Sequence, residues 1–189
     1  MTIRLYMSMS LDGFVAGHDD RAGQEMGAGG FRLFNWLDER NGPGINGQVY
    51  AEAMATGAII SGRRTFELAG RWGGDHHSGV PILVLTRRPN EGEPLAGGTT
   101  FHHDVVACAA AAREASGDRA VMVHGAGAAQ ALLDAGELDE LEIHLVPVLL
   151  GAGRPLFGGS APRHELELVR QLEGNDALHL RYRVVATSS

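Results

Sequence analysis

The amino-acid sequence predicts an α/β fold: a mainly parallel, twisted sheet in a three-layer arrangement with helices, closed by an antiparallel hairpin at its C-terminal edge. Three observations carry this expectation. Short unbroken apolar runs, at 58–61, 81–86 and from Ala120, read as strands buried on both faces, as parallel strands are. Helical stretches alternate with them, the order that crossover connections require. The last part, 165–169 and 177–185, instead alternates apolar and polar residues around Gly174-Asn175-Asp176, the pattern of an antiparallel pair.

The elements follow in order. Residues 3–9 partly alternate and form the first strand. A glycine-rich loop runs from Asp12-Gly13 to Gly29-Gly30. Over 31–40, Phe31, Phe34 and Leu37, with Leu33 and Trp36, make the apolar stripe of a helix. A second helix is expected over 47–56. The strand at 58–61 runs straight into Gly62-Arg63-Arg64-Thr65-Phe66-Glu67, and the strand at 81–86 into Arg87-Arg88. A short strand at 99–102 precedes Asp104, whose carboxylate can cap the alanine-rich helix 105–115 by accepting from first-turn amides. A strand from Ala120, a helix over 128–135 and a strand over 140–148 complete the alternation. No stretch reads as a linker or a repeat, so one domain over 1–189 is expected.

Composition narrows the function. A net charge of −7 speaks against non-specific nucleic-acid binding, which needs a basic surface. The lone cysteine, Cys108, excludes an internal disulfide and a cysteine zinc site, and its apolar neighbours give it a small buried role. His76-His77 and His102-His103 are adjacent pairs expected to point apart along an extended chain, and no His-x-x-x-His spacing occurs. No metal is therefore expected. His18, His124 and His144 stand singly and read as structural. No apolar run reaches the roughly 18–20 residues that span a bilayer, and the N-terminus does not read as a signal peptide. A cytoplasmic protein with no membrane or nucleic-acid partner is expected.

The densest signal lies beyond Ala120. An apolar run turns on Gly125-Ala126-Gly127 and continues into a helix with no charged side chain before Asp134. That order places bare backbone amides and the positive end of a helix dipole at the end of a buried strand, a setting for phosphate or pyrophosphate. The turn lies too far along the chain for the fingerprint of a doubly wound dinucleotide fold. Two other strand ends carry arginine, Gly62-Arg63-Arg64-Thr65 and Thr86-Arg87-Arg88. Guanidinium forks match phosphate oxygens, and ligands of open α/β sheets collect outside the carboxyl ends of the strands. The loop Ser10-Leu11-Asp12-Gly13-Phe14-Val15-Ala16-Gly17 reads as a glycine-flanked cover, with Asp12 able to orient a substrate donor. Asp38 and Glu39 are the other carboxylates placed to face a cleft.

Taken together, Ser10-Leu11-Asp12-Gly13-Phe14-Val15-Ala16, Gly62-Arg63-Arg64-Thr65-Phe66-Glu67, and the segment from Gly125-Ala126-Gly127 through 132–141 to 147–157 resemble the dihydrofolate reductase-like proteins. The resemblance is to the branch related to the C-terminal reductase domain of the bifunctional riboflavin-biosynthesis deaminase-reductase, and it covers nearly the whole chain. It implies a dihydrofolate reductase-like fold binding NADPH, with Gly62, Arg63, Arg64 and Thr65 on the cofactor phosphates and Thr86, Arg87 and Arg88 near the 2′-phosphate. Gly125, Ala126, Gly127 and Ala128 would hold the pyrophosphate, and Val15 and Ala16 the nicotinamide carboxamide. It implies an NADPH-dependent reductase acting on a C=N or C=O bond of a pterin-like or ribosylaminopyrimidine-like heterocycle, of the kind that reduces 5-amino-6-(5-phosphoribosylamino)uracil. Asp12 and Asp38 would be the catalytic carboxylates, and a homodimer would be the usual assembly. His124 stands where the riboflavin-pathway reductases carry an acidic residue, which motivates the alternative of a non-catalytic NADP(H)-binding protein acting in sensing or assembly.

Overall fold

The computed structural model describes residues 1–88, 97–158 and 162–185. In chain order it contains β1 (Ile3–Ser10), β2 (Phe14–Gly17), a 3-10 helix (Gly30–Glu39), α1 (Ile45–Met54), β3 (Ala58–Gly62), α2 (Arg63–Leu68) and a short helical segment (Gly70–Gly74). Then come β4 (Ile82–Leu85), β5 (Thr99–His102), α3 (Val105–Ser116), β6 (Val121–His124), α4 (Ala126–Asp134), β7 (Glu140–Val146), β8 (Gly153–Pro155), β9 (Glu165–Gly174) and β10 (Ala177–Val185). Contacts divide the chain into two compact units, Met1–Arg4 with Ala55–Asp139, and Leu5–Met54 with the chain from Glu140 on.

The first unit is the parallel part. β3 pairs in parallel with β4 and with β6, and β4 pairs in parallel with β5. The apolar runs are explained by burial, since Ile59, Ile60, Val84, Val121 and Val123 are wholly inaccessible. Cys108, Ala109 and Ala112 of α3 and Ala129 and Leu132 of α4 are equally inaccessible, and the alanines let helix and sheet approach closely. Asp104 caps α3 as expected, its Oδ1 accepting from the Ala107 amide at 2.7 Å. Two differences from the sequence reading bear on the strand ends. The residues after β3 are helical at once, and α4 starts at Ala126 rather than 128, because Gly125 alone makes the turn with φ 94°.

The second unit is antiparallel. β10 pairs with both β7 and β9, and β2 pairs with β8. β9 continues to Gly174, well past the expected end at 169. The register explains the discrepancy: Arg181 faces Arg170 but Tyr182 faces Leu168, so Val169 is an extra residue at a bulge that breaks the period-two pattern. The helix expected over 31–40 is a 3-10 helix, and its buried residues Gly30, Leu33 and Trp36 recur every third position, the period of that helix. Phe31 and Phe34, assigned to the apolar stripe, are exposed instead, at 62% and 36%. Leu33, Trp36, Val49, Val146 and Ala177 form the core.

Inside this core lies a polar row. Asn46 donates from Nδ2 to the Trp36 and Asn175 carbonyls at 3.1 and 2.9 Å, which leaves its Oδ1 facing His179 Nε2 at 3.0 Å. His179 Nδ1 lies 2.9 Å from His144 Nδ1. Nearby, the fully buried Glu142 is held by Arg170 and Arg181, and the same two guanidinium groups bind Glu52 at 2.8 and 2.9 Å. Arg170 and Arg181 are direct cross-strand neighbours, so two carboxylates are needed to offset their repulsion. Among the described residues no helix is long and apolar enough to cross a membrane.

Candidate functional site

Parallel pairing brings the expected strand ends to one edge of the first unit. Gly62 is in register with Leu85, and Ser61 with His124, so Gly62-Arg63, Thr86 and Gly125 all begin where neighbouring strands stop. The contact is close. A Cβ on Gly125 would overlap Thr65 Oγ1, so the residue must be glycine both for this approach and for its positive φ. Gly62 has no such compulsion, since a Cβ there would meet the Ala128 nitrogen at an ordinary 3.6 Å.

Each corner has its own chemistry. The first turn of α4 has no side-chain cap, so the amides of Ala126, Gly127 and Ala128 keep the donor capacity that a helix start leaves unused. Thr86 is buried and orders the corner after β4. Its Oγ1 accepts from the Arg88 amide at 3.1 Å, and His103 Nδ1 donates to its carbonyl at 3.0 Å. Arg87 and Arg88 are exposed. Arg63 is half-buried, pairs with Glu67 at 2.8 Å and lies 5.8 Å from the centre of the Phe101 ring. Arg64 is exposed.

The structure adds residues at this corner that sequence reasoning passed over. His76 and His77 do not point apart: their Nδ1 atoms are 2.8 Å from each other, because the chain there turns rather than extends, with Ser78 at φ 49°. His76 Nε2 lies 3.0 Å from Nε2 of His124, the residue preceding Gly125. Trp72 packs at 4.9 Å from His76 and 5.8 Å from His124. It reaches them through a left-handed turn in which Gly70, Arg71, Trp72 and Gly73 all have positive φ. The sequence signal was available in Gly70 and in Gly73-Gly74 flanking Arg-Trp, but the contact with β6 is non-local. Burial first, then the neighbouring His124 and His77, holds His76 down at about 3. Among the described residues no group of three or more His, Cys, Asp or Glu side chains is arranged to hold a metal ion.

The other expected residues lie in the second unit. Asp12 ties a loop together: Ser10 Oγ donates to its Oδ1 at 2.5 Å, and the Leu150 and Gly151 amides donate at 3.2 and 2.7 Å. The Ser10 hydroxyl, with help from the two amides, lowers its pKa below the usual carboxylate range against a smaller opposing effect of desolvation. Val15 and Ala16 are buried in β2, whose partner β8 comes so near that a Cβ on Gly153 would overlap the Ala16 carbonyl. Asp38 is exposed on the 3-10 helix, whereas Glu39 accepts from Asn46 and from Asn175 at 3.3 and 2.8 Å.

Known proteins share this architecture. The chain is 26% identical over 188 residues to the uncharacterized protein YwjB of Bacillus subtilis, covering 94% of this chain and 95% of that one. A putative riboflavin biosynthesis protein from Shewanella sp. PV-4 superposes with a TM-score of 0.70 at 21% identity, over 98% of this chain and all of that one. A pyrimidine reductase-like protein of Corynebacterium diphtheriae gives 0.62 at 13%, over 98% and 92%. The Thermotoga maritima diaminohydroxyphosphoribosylaminopyrimidine deaminase/5-amino-6-(5-phosphoribosylamino)uracil reductase gives 0.64 at 13%, and the match spans 97% of this chain but 56% of that longer one. The family model for the RibD C-terminal domain matches residues 1–180, and the chain belongs to that family.

Proposed function

We propose that this chain is an NADPH-dependent oxidoreductase that reduces a C=N or C=O bond of a small heterocycle, pterin-like or ribosylaminopyrimidine-like, as one reductase domain in the cytoplasm. The observation that carries the reading is the meeting of three strand ends in the first unit: uncapped amides at α4, a threonine-ordered corner bearing Arg87 and Arg88, and the Arg63–Thr65 segment against Gly125. The family membership supports the reaction class.

These residues suit a phosphorylated dinucleotide. Ala126, Gly127 and Ala128 offer amides to a pyrophosphate beside the turn at Gly125, which Thr65 packs against. Arg87 and Arg88 are the charges for a 2′-phosphate, which favours NADPH over NADH. Gly62, Arg63, Arg64 and Thr65 complete the phosphate contacts, Arg63 exchanging Glu67 for a phosphate oxygen. Val15 and Ala16 present backbone groups to the carboxamide. When bound, the nicotinamide supplies the hydride, while the protein orients substrate and excludes water. The bonds that Asp12 accepts keep it ionised, which suits it to orient a substrate N–H or O–H, and Asp38, exposed on the 3-10 helix, is the second carboxylate candidate.

The test is steady-state absorbance at the nicotinamide band with pterins and aminopyrimidines. Turnover is expected with NADPH and not with NADH, and Asp12→Asn is expected to lower it at least tenfold. Tight NADPH binding without turnover on any substrate would instead establish the non-catalytic, cofactor-sensing alternative.

A further inference from the structure

The chain between α2 and β4 holds five successive residues in the left-handed region: Gly70 at φ 62°, Arg71 at 55°, Trp72 at 47°, Gly73 at 62° and Gly74 at 91°. Glycine adopts that region freely, whereas an L side chain there crowds the following carbonyl. The two residues that are not glycine therefore need a use for their side chains. Trp72 has one inside the fold. It packs at 5.8 Å from Phe66, 4.9 Å from His76 and 5.8 Å from His124. Arg71 has none there. It is exposed, and among the described residues it meets neither a carboxylate nor a hydrogen-bond partner. The two carboxylates nearest to it in the chain are committed elsewhere, Glu67 to Arg63 at 2.8 Å and Asp75 to the Gly79 amide at 3.0 Å. Strained backbone under a side chain that the fold does not use is a mark of ligand clamps, where the ligand supplies the missing contact.

The place of the turn indicates the chemistry of that ligand. Trp72 fastens it against His124, and the next residue is Gly125, after which α4 opens with the uncapped amides of Ala126, Gly127 and Ala128. Such a helix start favours an anion. Arg71 is the only charged residue between Glu67 and Asp75, and α4 carries none before Asp134, so neither element brings a competing charge. Arginine's planar fork matches phosphate oxygens in pairs. Arg63 must first release Glu67 to do the same, whereas Arg71 has nothing to release.

We propose that Arg71 is a specificity-determining residue of this corner, its guanidinium binding a phosphate group of the dinucleotide. This rests on the reading of the corner as the NADPH site. Because Trp72 already holds the backbone of the turn, binding has only one side chain to order there.

Calorimetric titrations of the full chain with NADPH, NADH and inorganic pyrophosphate test this, with Arg71→Gly and Arg71→Gln beside the wild type. Both variants are expected to lose about tenfold in affinity for NADPH, the fold-change of one charge-assisted hydrogen bond. An equal loss for NADH and inorganic pyrophosphate identifies the pyrophosphate as the group bound, and a loss confined to NADPH identifies the 2′-phosphate. Wild-type affinity for NADPH in both variants overturns the proposal. Thermal denaturation separates the effect from damage to the fold. Arg71→Gly is expected to hold the melting temperature or raise it by ~2–4 °C, because glycine relieves the left-handed strain. A lower melting temperature would show that the fold itself uses the arginine, and overturns the proposal too. A wild type that binds neither dinucleotide overturns the cofactor reading instead. Inorganic pyrophosphate then decides: binding that weakens in both variants keeps Arg71 as an anion contact, and binding that is absent or unchanged removes it.

Discussion

Gly125 and Gly127 look equivalent in the sequence, yet the structure gives them opposite demands. Gly125 has φ 94° and Thr65 Oγ1 where its Cβ would be, whereas Gly127 has ordinary helical geometry and nothing within 4 Å. Gly125→Ala is therefore expected to cost about 1–3 kcal/mol and to abolish NADPH binding. Gly127→Ala should stabilise by about 0.5–1 kcal/mol through helix propensity, and thermal denaturation of the two variants checks both signs. A glycine's reason is set by what approaches it from elsewhere in the chain, so single-residue reading could find the turn but not choose between its glycines. Glu52 shows the same dependence on distant partners. Burial raises its pKa, but hydrogen bonds from Arg170 and Arg181 outweigh that and lower it to about 2 from an ordinary 4.5. A depressed carboxylate pKa contributes stability that is complete above the ordinary value and lost as pH falls through the folded one. The melting temperature should therefore drop between about pH 4.5 and 2, and Glu52→Gln should flatten that part of the profile; an unchanged profile would remove the network from the acid response.

At the scale of elements, what could be read in advance was whatever is local. The Asp104 cap is such a case: a short acidic side chain before an alanine-rich run has one economical use, and the Ala107 amide takes it. Asp104→Ala is expected to destabilise by about 1 kcal/mol, measurable by urea denaturation with an unchanged slope. Strand interiors were legible for the same reason, because burial on both faces writes a continuous apolar run. The misses have non-local causes. β2 and β8 are short partners whose pairing exists only through each other, and the bulge at Val169 hides the second half of β9 from a period-two reading. The 3-10 helix presents the residues of an α-helical stripe, but its turn of three residues buries Leu33 and Trp36 and turns Phe31 and Phe34 outward. At the site, the three corners were legible as strand ends. The imidazole row was not, because His76 and His124 are far apart in sequence and meet only after β6 is placed beside β3.

At the scale of the whole molecule, the described residues present an exposed apolar face on the β9–β10 hairpin. In the β9–β10 hairpin Leu166 faces Val184 and Leu168 faces Tyr182, so these four side chains share one side of the ribbon. Leu166 and Leu168 are 43% and 51% exposed, and Val169 at the bulge 42%. Exposed edge strands are ordinarily guarded by charge, lysine above all, yet all 16 basic residues of this chain are arginine. Glu165 and Glu167 alternate onto the opposite side, where Glu167 pairs with Arg183 at 2.8 Å. A contiguous apolar face of this kind is most simply covered by the same face of a second copy, since a two-fold axis matches a surface to itself. The homodimer implied by the family resemblance would place its contact there. Sedimentation velocity is expected to show a dimer for the wild type and a monomer for the Leu166→Glu, Leu168→Glu double variant, whose circular dichroism should be unchanged because neither side chain lies in the core. A wild type that sediments as a monomer, or a folded double variant that remains dimeric, would move the interface elsewhere or remove it.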